Sequence, residues 1–135
     1  MMRTHKILTA FLLFVALFAK AQNTVTITVT GLKSSKGNLM LEMVDANNKV
    51  VAQKIEGISE KKSTVLIKNV KPGQYAIRFF HDENSNGKMD TGTFGIPTEG
   101  YGFSNDARGF MGPPDLEDQL FEVKGDVKMT LKTKN

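Results

Sequence analysis

Residues 24–30 read TVTITVT, with Val25, Ile27 and Val29 on one side and four threonines on the other. Alternation of apolar and polar β-branched residues with a period of two is the mark of a half-buried strand. Upstream the pattern changes kind. Arg3, His5 and Lys6 form a positive start, and residues 7–19 (ILTAFLLFVALFA) are a 13-residue apolar run. Ala19-Lys20-Ala21 then sets small residues at the positions a signal peptidase reads. This is a secretory signal layout, too short for a membrane span of about 20 apolar residues. The expectation is export with cleavage after Ala21, giving a periplasmic or secreted chain that starts at Gln22.

Downstream the strand pattern repeats. Gly31 and residues 33–37 (KSSKG) turn the chain into residues 38–44, where Leu39, Leu41 and Met43 share a face. Residues 50–55 and 64–70 follow, and Lys71-Pro72-Gly73 is a tight turn, with Pro fixing φ and Gly supplying a positive one. Residues 74–80 place Tyr75, Ile77 and Phe79 together, and residues 120–123 and 127–131 close the chain through Gly125-Asp126. About seven short strands with turn signals between them predict an all-β sandwich in one domain, residues 22–135.

Composition narrows the function. Among 135 residues there is no cysteine, which removes disulfides, thiolate metal sites and thiol nucleophiles. The net charge is +4, but setting aside Arg3, Lys6 and Lys20 leaves 15 basic against 14 acidic side chains. A near-neutral body without a basic block argues against nucleic acid as a partner. With no coiled-coil or amphipathic membrane pattern, the expectation is a monomer without a transmembrane segment in the mature chain.

The strands are interrupted by residues 82–116, which hold seven of the 12 glycines and three of the four prolines. Loops longer than about 15 residues are uncommon in compact domains unless they are functional or held by something. This one is also apolar, with Phe94, Ile96, Tyr101, Phe103, Phe110 and Met111 spread through it. It is expected to fold over one end of the sandwich. There its rings either plug the core, as the scarcity of other aromatics favours, or form a concave platform. On the platform reading Phe94, Glu99, Tyr101, Phe103 and Phe110 would bind a glycan or a peptide.

The restraint on this loop is offered by residues 82–90 (DENSNGKMD). Asp82, Asn84, Asn86 and Asp90 put oxygen-bearing side chains at positions 1, 3, 5 and 9, Gly87 stands at position 6, and the Lys88 carbonyl at position 7 adds a ligand. Alternate side chains of a curled loop point inward, so the pattern predicts calcium. Position 12 departs from it, since Thr93 stands where a bidentate Glu is usual, and a strand enters where a helix is usual. Coordination would be completed by water or by Glu99 or Asp118. The competing reading is a metal-free hairpin held by Asx turns around Asn86-Gly87.

Four blocks carry a resemblance: residues 71–75 (KPGQY), 81–90 (HDENSNGKMD), 95–105 (GIPTEGYGFSN) and 112–118 (GPPDLED). They resemble the signature blocks of the DUF2141 family of secreted bacterial proteins, across nearly the whole mature chain. The resemblance implies an exported small β domain with no established activity. The turn-plus-strand piece is also similar to the prealbumin-like and collagen-adhesin B-type β-sandwiches of surface proteins, an analogy of fold alone, and the sandwich expected is Ig-like or prealbumin-like.

Catalysis finds little support in the residues. His81 and Ser104 could enter a triad, but Gly102-Phe103-Ser104-Asn105 lacks the strained turn of a nucleophile elbow. Glu99, Glu117 and Asp118 could supply a carboxylate pair for sugar hydrolysis, where the separation decides the mechanism. The expected function is therefore a non-enzymatic exported module. The alternatives are a structural part of a cell-envelope complex and, after it, a carboxylate-dependent hydrolase.

Overall fold

The computed structural model describes residues 22–135; the expected signal peptide, residues 1–21, lies outside the described residues. Eight strands form two sheets. The smaller sheet has the order β4-β1-β8, built from β1 (Asn23–Thr30), β4 (Ser63–Val70) and β8 (Val127–Lys132). The larger has the order β3-β2-β5-β6, built from β2 (Asn38–Asp45), β3 (Val50–Glu56), β5 (Gly73–Asp82) and β6 (Tyr101–Phe103), and β7 (Phe121–Val123) also pairs with β5. One helical turn, α1 (Leu116–Gln119), precedes β7.

The alternation of residues 24–30 does what its period requires. Val25, Ile27 and Val29 are fully buried, and the threonines between them are half-buried on the outer face. They meet Leu39, Leu41, Met43, Ile77 and Phe79 from the larger sheet, and Val65, Ile67 and Leu131 complete the layer from their own. Met43 and Val44 are adjacent yet both buried, because the register against β3 shifts between them. A bulge turns two successive side chains out of strict alternation. Burying apolar side chains of this size is worth about 1.5–3 kcal/mol each, so this inter-sheet layer is the main source of stability.

β1 lies between two neighbours of opposite sense: antiparallel to β4 and parallel to β8, with Val25 opposite Val127 and Thr30 opposite Lys132. Beyond β8 the chain crosses to the other sheet, where the amide of Lys134 donates to the Tyr101 carbonyl at 2.8 Å and that of Tyr101 to the Lys134 carbonyl at 3.0 Å. The last residues thus join the two layers.

The segment 82–116 is less open than its composition suggests. It contains β6, tight turns at Thr93–Gly95 and Ser104–Asp106, and the start of α1. An eighth strand stands where seven were expected. Its centre is Gly102, where a Cβ would fall 2.4 Å from the Phe79 ring, so a glycine lets this short strand pass over the core.

β6 and β7 lie end to end along one side of β5, pairing with Arg78–Phe80 and Gly73–Tyr75 respectively. Between them a side chain replaces the missing backbone. The Ser104 hydroxyl, fully buried, accepts the Ile77 amide at 2.9 Å and donates to the Gln119 carbonyl. Among the described residues no helix is long and apolar enough to cross a membrane.

Candidate functional site

The loop 82–90 grows from the end of β5. Asp82, only 2% exposed, pairs with Asn38 of β2, so its backbone is fixed by the sheet while its carboxylate turns into the loop. There Oδ1 accepts the Asn86 amide at 3.1 Å and Oδ2 the Gly87 amide at 2.8 Å. Gly87 has φ +79°, a left-handed conformation that costs a residue with a Cβ about 1–2 kcal/mol. Asn84 and Asn86 form successive Asx turns, their Oδ1 atoms accepting the amides of Asn86 at 3.3 Å and Lys88 at 3.1 Å.

Asp90 is where the loop closes. Its two oxygens accept the Asn84 Nδ2 group at 2.6 Å and the Asn86 Nδ2 group at 2.7 Å. Those two donors, Asn86 first, hold its carboxyl below the ordinary value of 3.8, because they bond the ionised form. The structure thus brings the side chains at positions 1, 3, 5 and 9 into one hydrogen-bonded turn. Turning either Asn amide by 180° would present Oδ1 to Asp90 in place of Nδ2, at the cost of its Asx-turn bond and of its bond to Asp90. With both turned, two carboxylates and two amide oxygens would be available to a cation that prefers oxygen. Among the described residues no three His, Asp or Glu side chains form a metal-holding group, so a cation here would rely on this mixed donor set.

Glu99 has a different place from either one expected of it. It is buried, and its Oε2 accepts the Glu83 amide at 2.8 Å while Oε1 accepts the Asp90 amide at 2.9 Å. One carboxylate therefore clamps both ends of the loop from outside, with its oxygens already committed to backbone donors. Asp118 is exposed on α1, which meets β5 beside Ser104 and Ile77, well short of the Asp82 end. Glu83 points away from the loop interior, its Oε1 accepting the Ser34 hydroxyl at 3.0 Å. Thr93 is exposed in the turn beyond.

The aromatic residues separate into groups. Phe94 is 96% and Phe110 94% exposed, and no ring of this segment belongs to the core, so the expected plug is not formed. Phe94, Tyr101 and Phe103 instead line a cleft of about 740 Å³, while Phe110 stands outside it and Glu99 faces the loop. Tyr101 and Phe103 pack edge to face, their centroids 6.0 Å apart. Ile96 and Met111, apolar residues of the loop not counted in the expected platform, stand on the rim, and Arg108, Lys132 and Lys134, which the sequence did not point to, line the cleft beside them. The available signal was large apolar residues in a glycine-rich loop. The lysines come from the far end of β8 and carry no local pattern.

Of the groups considered for catalysis, His81, Ser104 and Glu99 are engaged in the fold, while Glu117 and Asp118 are exposed on α1. The buried His81 ring bonds the Lys36 carbonyl through Nε2 at 2.7 Å, which makes that nitrogen the donor. Ser104 completes the β5 ladder as described.

Residues 27–130 match the model of a family described as uncharacterised proteins conserved in bacteria, DUF2141, and the chain belongs to that family. No curated protein matches the chain.

Proposed function

We propose that this DUF2141 chain is an exported, non-enzymatic β-sandwich module that holds calcium in the loop 82–90 and presents the neighbouring cleft to a ligand outside the cytoplasm. The observation that carries the reading is the closure of Asn84 and Asn86 on Asp90, with Asp82 fixed at the strand end and Glu99 clamping the loop from behind. The backbone of this frame is pre-organised, so a cation would have to turn the two Asn amides but order no chain. The Lys88 carbonyl at position 7 and water would complete the set. The leader-like residues 1–21 supply the argument for export.

Two carboxylates place the affinity in the weak extracellular range, about 10⁻⁴–10⁻³ M. Calcium at ~2 mM against a Kd of ~0.1 mM would add about 1.8 kcal/mol to the folded state. The test is thermal unfolding in EDTA and in millimolar calcium. The melting temperature is expected to rise by several degrees with calcium and by less with magnesium, whose octahedral shell suits this loop poorly. Asp82→Ala removes the increment, whereas Glu83→Ala keeps it. Coincident curves with and without calcium would reduce the loop to a hydrogen-bonded hairpin. Export is checked by the intact mass of the protein from its host, expected to begin at Gln22.

A structural role in an envelope complex is favoured by one feature. Among the described residues the outer edge of β3 pairs with no strand, and Val50, Val51 and Ile55 of β3 are exposed. Unpaired edges template association. Light scattering separates the two readings: a monomer supports the module, and a stable oligomer at micromolar concentration supports the assembly part.

A further inference from the structure

The cleft beside the calcium loop has a chemistry of its own. Its rim is apolar and almost fully exposed: Phe94 at 96%, Met111 at 93% and Ile96 at 63%. Contiguous exposed apolar surface is disfavoured unless something covers it. Backbone strain points the same way. Among the described residues nine non-glycine positions have positive φ, and the two apolar ones, Phe94 (φ 62°) and Met111 (φ 56°), both line this cleft. Strained apolar residues on an exposed rim indicate a surface built for contact. Between them lies a floor of Tyr101 and Phe103, and the volume of about 740 Å³ falls in the usual range of small-molecule sites, about 300–1,000 Å³.

The charge around this trough is one-sided. Arg108, Lys132 and Lys134 line it, and among the described residues none of the three forms an ion pair. The one lining carboxylate, Asp106, has its Oδ1 accepting the Lys132 amide at 2.9 Å. The Lys134 ammonium lies 6.0 Å from the Tyr101 centroid, at the junction of apolar floor and basic wall. An apolar body with an anionic end matches both surfaces. A sugar would find a single carboxylate on the walls, Asp106, with one oxygen already bonded to the Lys132 amide. A bilayer would need the rings on a convex tip, whereas Tyr101 and Phe103 are half-buried in a concavity.

We propose that this cleft binds a medium-chain fatty acid, its alkyl chain between the Phe94 and Met111 loops and its carboxylate toward Arg108, Lys132 and Lys134. The proposal rests on the reading of the chain as a binding module and names its ligand class. Calorimetric titration of the purified protein with octanoate, decanoate and dodecanoate, in EDTA and below micelle-forming concentrations, tests it. Saturable one-to-one binding is expected, tightening about fourfold per methylene buried. The alcohol of equal length binds several-fold more weakly, and dodecyltrimethylammonium does not bind. Met111→Asp, at a site too exposed to disturb the fold, abolishes binding while circular dichroism stays unchanged. Arg108→Glu with Lys134→Glu removes the preference for carboxylate over alcohol. Equal affinity for acid and alcohol overturns the assignment. So does uptake only onto anionic vesicles, which makes the cleft a membrane-facing surface. Capture of a glycan or peptide with no fatty-acid binding overturns it too, but leaves the binding-module reading standing. If none of these ligands binds, both readings fall.

Discussion

Replacing Ser104 by alanine removes one oxygen atom and opens the side of β5. Ile77 is wholly buried, and its amide has the Ser104 hydroxyl at 2.9 Å where the neighbouring positions of β5 have β6 or β7. In Ser104→Ala that amide is left without a partner, at about 1–3 kcal/mol for a buried unsatisfied group. The Gln119 carbonyl loses its donor as well, a smaller penalty for an acceptor, and this is partly offset because alanine has no hydroxyl to desolvate. The vacated space is a hydroxyl in size, well under the roughly 30 Å³ a water occupies, so solvent cannot repair it. The net expectation is about 2 kcal/mol, or roughly 8 °C in melting temperature for a domain of this size. Urea unfolding gives the energy, and hydrogen exchange gives the place. The Ile77 amide should lose protection while that of Leu41 in the centre of β2 keeps the protection of the global fold. A cost below about 0.5 kcal/mol with unchanged exchange at Ile77 would refute the claim that a side chain completes this ladder.

Two glycines of similar φ should respond differently. Gly37 (φ +69°) has its virtual Cβ 2.0 Å from the Asp82 carbonyl oxygen, so Gly37→Ala must move β2 away from the loop 82–90, whereas Gly87 (φ +79°) opens to solvent. Gly87→Ala should cost about 1 kcal/mol and Gly37→Ala at least about 3 by chemical denaturation, and equal costs would contradict the close approach. Asp90 sets a pH signature, since its folded pKa lies below its unfolded one. The stability it contributes is fully present above the unfolded value near 3.8 and is lost as pH falls through the folded value. Melting curves of the unmodified protein and Asp90→Asn in EDTA should therefore converge on acidification below pH ~4, and a constant gap from pH ~6 to ~2 would refute the bonding to Asn84 and Asn86.

The strands were legible where alternation runs for five residues or more, because burial of one face writes itself into every second position. Residues 24–30 and 64–70 are of this kind. β6 was not legible: three residues cannot show a period, and its middle one is a glycine kept small by Phe79. The pairing of β8 with β1 left no local trace either, since it is decided by packing between distant segments. In the loop 82–90 the oxygen-bearing positions could be read because their spacing is local. Glu99 was noticed but placed among ligands, as nothing in the sequence says that its oxygens reach the amides of Glu83 and Asp90. The cleft divides in the same way. Its rings were visible in a loop that should have been polar, while Lys132 and Lys134 become part of it only when the end of the chain crosses to β6.

β1 stands in the middle of its sheet, and the parallel neighbour that covers one side comes from the end of the chain. The Thr24 amide donates to Asp126 across 102 residues. Closing a loop of about 100 residues costs roughly 4 kcal/mol in chain entropy before any contact repays it. The sheet that holds the first strand is thus among the last to be completed, and no N-terminal portion emerging by itself holds both neighbours of β1. Long-range pairing of this kind makes folding slow and all-or-none. On the export route proposed above such delay would be useful, since the sheet around β1 cannot be completed until the final residues arrive.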